Sequence, residues 1–219
     1  MLLLPPRELG PLLCIMLTLL TIHATIKLPE VEAPVIPIVD ALEEDHDLPS
    51  ELGRAVMSLS GELQRETWKV DARRMVVEVG RGLLASLKSD GIALDLFLGD
   101  WREQVGETWA ELIDVKFLEV SYTEERAETQ GDYLINIPTT LSHTPTIISF
   151  PAHSLPLHPI TRFADLFLTR PRWRPEDMAP FVRGLTRDGD TKERDKLVAK
   201  FVRVVKEKEG IWWYPRRTS

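Results

Sequence analysis

Apolar residues recur at helical spacing most clearly in the segment that follows Asp71. The spacing places six of them along one side of a helix: Met75, Val76, Val79, Leu83, Leu84 and Leu87. Asp71 stands where a short acidic side chain caps the free amides of a first helical turn. Asp90-Gly91 is typical of a chain reversal. The pattern therefore predicts a capped amphipathic helix that follows Asp71 and ends before Asp90.

The segment before Asp71 predicts several shorter elements. Prolines 29, 34 and 37 exclude a helix where they are closely spaced, and Asp47 with Pro49 is a typical helix start. The predicted order is a helix over 6–24, an extended stretch over 27–37, a short helix over 38–45, a helix from Asp47 to about Ser60, and a strand over 66–70.

The segments after Asp90 repeat this succession of helices followed by strands. The predicted elements are a helix containing Trp101, a charged hairpin tip over 122–132, a strand over 133–137, helices from Thr161 and from Arg174, a long helix from Thr191 to about Lys208, and a strand over 210–214. Three rounds of this order predict a mainly α fold with small β wings (an α+β fold), built from tandem winged-helix modules. The expected modules are residues 1–70, 71–155 and 156–219, although no clear sequence repeat links them.

An uncharged apolar run over residues 9–26 has two interpretations. A signal peptide or membrane anchor would explain it, but the flanking Arg7 and Glu8 cancel rather than form a basic region. As a membrane span the run is at the short limit, and it contains Pro11. A helix buried on most sides within a folded domain explains the pattern equally well.

Charge is distributed unevenly along the chain. The net charge is −7, yet residues 162–219 carry 15 basic and 9 acidic residues, which leaves 12 basic and 25 acidic residues in the rest. An acidic body with a C-terminal segment of net charge +6 indicates that an anionic partner would contact the C-terminal end. A solvated surface with no partner is the alternative interpretation.

The residue types needed for catalysis are not arranged in any known constellation. The chain lacks a glycine-rich phosphate loop and a GxSxG elbow. Its single cysteine, Cys14, excludes an internal disulfide and a cysteine-rich zinc site. His153 and His158 flank a proline without further ligands, and His46 lies in an acidic loop. We therefore expect no catalytic residues, no metal site and no cofactor.

Basic residues form two groups in the last predicted module. The first group recurs at steps of 4, 4 and 3 in the long predicted helix and consists of Lys192, Lys196, Lys200 and Arg203. Arg216 and Arg217, after the terminal strand, extend this group. Arg170, Arg172 and Arg174 surround Trp173. We expect this tryptophan to be a core anchor of the last module, buried together with Phe163, Leu166, Phe167 and Phe181. A basic surface of this kind favours weak binding to DNA phosphates without sequence preference. Acidic neighbours such as Glu193 could instead pair with the lysines along the helix.

Ordered short motifs in the last 65 residues resemble one known family. They are Leu155-Pro156, Arg162-Phe163, Leu166-Phe167, Arg172-Trp173, Asp177 with Pro180-Phe181, Lys200-Phe201 with Arg203, and Tyr214-Pro215-Arg216-Arg217. These resemble the C-terminal signature of the sister chromatid cohesion protein (Dcc) family. Residues 66–101 resemble the family more loosely, and residues 1–61 agree only in length and pattern.

The resemblance implies a function that the residues alone do not. It implies a nuclear, non-catalytic subunit of the replication factor C-like clamp loader built on the chromosome transmission fidelity large subunit, with clamp-loader subunits as partners and indirect links to PCNA and DNA polymerase epsilon. The family's N-terminal, barrel-forming half is then expected to be absent, as in a truncated gene model or a short paralogue. Two alternatives remain. The chain could be a stand-alone winged-helix module that binds DNA or protein, or it could be a signal-anchored secreted or membrane protein.

Overall fold

The computed structural model describes residues 6–87, 91–123, 126–129, 133–136, 144–186 and 191–216. The chain divides into two compact units. The first contains Met1–Arg126 and Tyr133–Ser149, and the second contains Ala127–Asp132 and Phe150–Ser219.

The first unit begins with a helix, a strand pair, two helices and a second strand pair. These are α1 (Pro6–His23), β1 (Thr25–Lys27), β2 (Glu30–Pro34), α2 (Val35–His46), α3 (Ser50–Leu59), β3 (Gly61–Leu63) and β4 (Thr67–Val70). The strands form an antiparallel sheet in the order β1-β2-β4-β3. The predicted helix over 6–24 and strand over 66–70 are confirmed.

Two boundaries in this segment differ from the prediction. The extended stretch ends at Pro34, because Pro37 falls in the first turn of α2, where a missing amide proton costs nothing. Asp47 does not cap the next helix. It ends α2 in the left-handed conformation (φ 52°), which Asp tolerates, and its amide donates to the carbonyl of Leu42.

Helix α1 is part of the core of the first unit. Its leucines and methionine are buried at Leu12, Leu13, Met16, Leu17, Leu19 and Leu20. The indole N–H of Trp109 donates to the carbonyl of Leu17 over 3.2 Å, which ties α1 to the second half of the unit. None of the helices in the described part of the chain is both long enough and apolar enough to span a membrane.

The second half of the first unit repeats the succession of helices and strands. It contains α4 (Ala72–Ser86), β5 (Ile92–Ala93), α5 (Leu94–Val105), 3-10 helices at Glu107–Leu112 and Val115–Glu119, β6 (Val120–Thr123), β8 (Tyr133–Asn136) and β9 (Thr146–Ser149). The predicted cap is confirmed, since the Asp71 carboxylate accepts from the amide of Arg74 over 2.9 Å. All but the first residue of β7 (Arg126–Thr129) is assigned to the second unit, and parts of the predicted hairpin tip lie outside the described residues.

The second unit is built from three helices and a hairpin. They are α6 (Pro159–Thr169), α7 (Pro175–Val182), α8 (Thr191–Phe201), β10 (Val202–Glu207) and β11 (Gly210–Pro215), with short 3-10 helices at Ala152–Ser154 and Arg183–Leu185. Trp173, between α6 and α7, forms an antiparallel bridge with Trp213 of β11.

One strand arrangement occurs three times along the chain. Three neighbouring strands of the four-stranded first sheet have the order β2-β4-β3, and the next sheet has the order β5-β9-β8. In the second unit the Trp173 bridge joins β11, which pairs with β10. In each case the last strand lies in the middle. The fold is thus a mixed α+β structure with small antiparallel sheets, as predicted in its coarse form.

Candidate nucleic-acid interface

Trp173 is the centre of the small core that supports the basic segment. Its side chain is fully buried, its indole N–H donates to the carbonyl of Leu166 over 2.9 Å, and its ring meets that of Phe181 edge-on at 5.7 Å. Phe163 is buried and stacks on Phe201 at 4.8 Å, which attaches the end of α8 to α6. The sequence predicted this core correctly, except that Phe167 is only half-buried.

Helix α8 presents three lysines to solvent. Lys192, Lys196 and Lys200 are all exposed, on the side of α8 away from the buried Val198 and the stacked Phe201. Among the described residues, these three ammonium groups take part in no ion pair. They form the exposed cationic stripe that the sequence predicted for this part of the helix.

The predicted helix from Thr191 to about Lys208 is wrong in its second half. The chain leaves the helix after Phe201, and β10 begins at Val202. The sequence there is rich in β-branched residues, which favour strands. Gly210, at φ 128°, directly follows the two-residue turn of the hairpin, where a side chain would be strained. On this strand Val204 is 62% exposed.

This change moves Arg203 away from the lysine stripe and onto the sheet. Arg203 pairs with Tyr214 in the hairpin register, and its guanidinium lies 5.7 Å from the centre of the Tyr214 ring. Residues alternate between the two faces of a strand, so Arg203 and Tyr214 share the sheet face opposite to Trp173 and Trp213.

Arg172 and Arg174 lie on the same sheet face, on either side of Trp173 in the chain. Their guanidinium groups lie 4.2 and 5.0 Å from the centre of the Trp212 ring, and both rest on this half-buried indole. Arg174 also forms a long contact of 3.8 Å with Glu176. The structure therefore brings Arg172, Arg174 and Arg203 together with two aromatic rings, a grouping that the helical prediction missed.

The charge of Arg172 is already balanced within the unit. Arg172 pairs with Glu207 over 2.7 Å, and Glu207 also accepts a hydrogen bond from the hydroxyl of Tyr214. Hydrogen bonding to Tyr214, and then the charge of Glu207, raise the pKa of Arg172 above its ordinary value. This guanidinium is consequently less available to an external anion than the lysines of α8.

Arg170 belongs to the core side of the segment. Its side chain is 17% exposed, lies 5.0 Å from the centre of the Trp173 ring and contacts Asp177 at 3.8 Å. Burial lowers the pKa of Arg170 and raises the pKa of Asp177, in each case against the opposing attraction of the partner. The placement is that of a packing residue.

Arg216 is exposed at the end of α8. Its guanidinium donates to the carbonyl of Ala199 over 2.7 Å, and its amide donates to the carbonyl of Phe201 over 2.8 Å. A cation at this position also favours the negative end of the helix dipole. Arg217, the other predicted terminal arginine, lies outside the described residues.

Two further cations of the hairpin were not predicted to belong to the basic surface. They are Lys206 and Lys208, and both are exposed. The signal was available in the sequence, since Val202–Glu207 and Gly210–Tyr214 could pair across a two-residue turn.

The described residues contain no group of three or more His, Cys, Asp or Glu side chains placed to hold a metal ion. His153 and His158 are both exposed and lie in the segment before α6.

The protein consists of small segments of helices and strands that follow one another along the chain, and the last segment carries a cationic surface. The family model for the sister chromatid cohesion protein Dcc1 matches residues 1–182, and the chain belongs to this family. Proteins of this family are non-catalytic cohesion and clamp-loader subunits, and membership implies association with the Ctf18–replication factor C complex. No curated protein matches the chain.

The residues that the family model matches are not the same as the residues whose motifs resembled the family. It includes residues 1–61, which agreed with the family only in length and pattern, as well as the motifs from Leu155 to Phe181. The motifs at Lys200-Phe201 and at Tyr214-Pro215-Arg216-Arg217 lie beyond the match, as do α8 and the hairpin.

Proposed function

We propose that this chain is a non-catalytic subunit of the replication factor C-like clamp loader built on the chromosome transmission fidelity large subunit. Membership in the Dcc1 family supports this assignment. In such an assembly the other subunits hydrolyse ATP and act on PCNA, and the complex as a whole provides the connection to DNA polymerase epsilon. The chain then acts in the nucleus, as a scaffold and as a DNA contact.

The proposed architecture is three winged-helix modules over residues 1–70, 71–155 and 156–219. The threefold recurrence of one strand order, with the last strand in the middle, supports it. Each module begins with a helix and ends with an antiparallel strand pair, with two or three helical segments between them. The first module has the extra strand β1, the second uses 3-10 helices in place of a third α-helix and has the extra strands β6 and β7, and the third has the Trp173 bridge in place of a first strand. The first two modules would be combined in the first compact unit.

The observation that carries the proposed DNA contact is the exposed lysine stripe of α8. This helix occupies the third helical position of its module, which is the helix that commonly meets DNA in helix-turn-helix and winged-helix proteins. Lys192, Lys196 and Lys200 can each approach a phosphate, and the segment around them has a net charge of +6. Contacts of this kind bind DNA without reading its sequence.

The remaining predicted cations would contribute unequally to that contact. Arg203 and Arg216 are exposed and extend the basic surface beyond α8, whereas Arg174 is partly paired. Arg172 is balanced by Glu207, and Arg170 packs on Trp173. We infer that the lysines and Arg203 supply most of the attraction to DNA.

Reconstitution tests the assignment to the clamp loader. The chain is mixed with purified subunits of the chromosome transmission fidelity complex and separated by size exclusion. The proposal predicts co-elution with these subunits and an unchanged ATPase rate per large subunit. Elution of the chain alone would favour the stand-alone winged-helix module, and ATP hydrolysis by the isolated chain would contradict its non-catalytic character.

A further inference from the structure

Helix α6 has two apolar faces, and only one of them is buried. Phe163 and Leu166 point into the core of the second unit. The other face carries Ile160, Ala164 and Leu168 at steps of four, and Leu157 precedes them by three. Leu157 is 81% exposed, Ile160 62% and Leu168 87%, and Ala164 is also exposed. These four residues are called the α6 stripe below.

The α6 stripe is large for a surface that faces water. Leu157, Ile160 and Leu168 together expose on the order of 400 Å² of apolar surface, which is as large as the biggest apolar patch of a typical monomer. Scattered exposed leucines are ordinary in soluble proteins. Ile160, Ala164 and Leu168 are different, because their spacing of four residues places them on one side of α6, and Leu157 lies directly before the helix.

The polar residues beside the α6 stripe do little to hydrate it. The hydroxyl groups of Thr161 and Thr169 donate to the backbone carbonyls of His158 and Asp165, each over 2.9 Å. Both threonine donors are thus used within the helix. Asp165 is exposed and is the only charged residue on the exposed side of α6.

We propose that the α6 stripe docks an amphipathic helix of a partner protein. The spacing of four residues from Ile160 to Leu168 is one at which one helix packs along another. This helical part of the stripe spans about 12 Å, or roughly two turns, at about 1.5 Å per residue. A partner helix that presents apolar residues at the same spacing, with a lysine or arginine opposite Asp165, complements it in both shape and charge.

The exposed area argues against a second copy of this chain as the occupant. A stable protein–protein interface buries about 800 Å² on each partner, and the stripe offers roughly half of that. An area of this size matches one face of a short helix.

A designed peptide tests this proposal on the full chain. The probe is a helical peptide of about 15 residues with leucines at the stripe spacing and lysines on its flanks, and a matched peptide has glutamates on the flanks. Backbone amide shifts should change within residues 157–169 on titration with the lysine peptide. Leu168→Asp should weaken binding by about tenfold or more, and Asp165→Lys should reverse the preference between the two peptides.

Two controls separate this surface from others. Leu96→Asp changes another exposed leucine, on α5 (62% exposed, against 87% for Leu168), and should leave peptide binding intact, as should Lys196→Glu with Lys200→Glu. Absence of binding by both peptides, or equal binding by Leu168→Asp, would overturn the proposal. So would sedimentation equilibrium showing a dimer of the chain that Leu168→Asp converts to monomer, because the occupant would then be a second copy.

Discussion

The indole ring of Trp101 lies directly against the α-carbon of Gly80. A Cβ added at Gly80 would lie 2.5 Å from two ring atoms of Trp101, far inside van der Waals contact. The ring cannot easily move, because it is fully buried and its N–H donates to the carbonyl of Val76 over 2.9 Å. Helices α4 and α5 therefore approach each other through this glycine.

Gly80→Ala should destabilise the protein by about 1–3 kcal/mol, because overpacking outweighs the gain in helix propensity. Gly99→Ala is the matched control, since Gly99 is also helical and its Cβ would meet nothing within 4 Å. The control should be neutral or stabilising by up to about 1 kcal/mol. Urea unfolding followed by circular dichroism measures both. Equal effects of the two substitutions would show that Trp101 does not constrain Gly80.

Trp173→Ala should destabilise the second unit by about 3–5 kcal/mol, because it removes a buried indole and its hydrogen bond to Leu166. Trp212→Ala should cost less, since Trp212 is half-buried on the opposite sheet face. Thermal unfolding of the two variants gives the comparison. A midpoint unchanged by Trp173→Ala would show that this ring does not hold the core together.

Arg172→Gln should change DNA affinity by less than about twofold, since its charge is balanced by Glu207 over 2.7 Å. Arg203→Gln removes an exposed cation and should weaken DNA binding more clearly. Fluorescence anisotropy with a short labelled duplex measures both affinities. A larger loss for Arg172→Gln than for Arg203→Gln would mean that the internal ion pair opens when DNA binds.

Local signals along the chain were sufficient to predict several of these elements. Asp71 followed by apolar residues at helical spacing predicted α4 and its cap, and both are present. The aromatic residues around Trp173 predicted a core, since large rings with one polar atom are usually buried with that atom bonded.

The boundary between α8 and β10 depends on contacts that are distant in the chain. Lysines at steps of four favour a helix, and Arg203 extends the same period. The strand forms because β10 pairs with β11, and Trp213 of β11 pairs in turn with Trp173, 40 residues earlier in the chain. Such pairing outweighs local helix propensity. The grouping of Arg172, Arg174 and Arg203 depends on the same strand pairing, so it could not be predicted from the local sequence either.

The salt dependence of DNA binding tests the proposed function of α8 most directly. Each lysine placed on a duplex phosphate contributes about −0.9 to the slope of log K against log salt, so three lysines predict a slope near −3. Lys196→Glu with Lys200→Glu should leave the fold intact, because both side chains are exposed.

The slope of log K against log salt is measured for the full chain, for this double variant and for a control variant. The control is Lys27→Glu with Lys69→Glu, which makes the same charge change at exposed positions of the first unit. The α8 variant should weaken binding to all sequences alike and flatten the slope by about two, while the control variant should retain most of the slope. Equal slopes for the two variants, or no binding by the full chain at low salt, would contradict a DNA contact through α8.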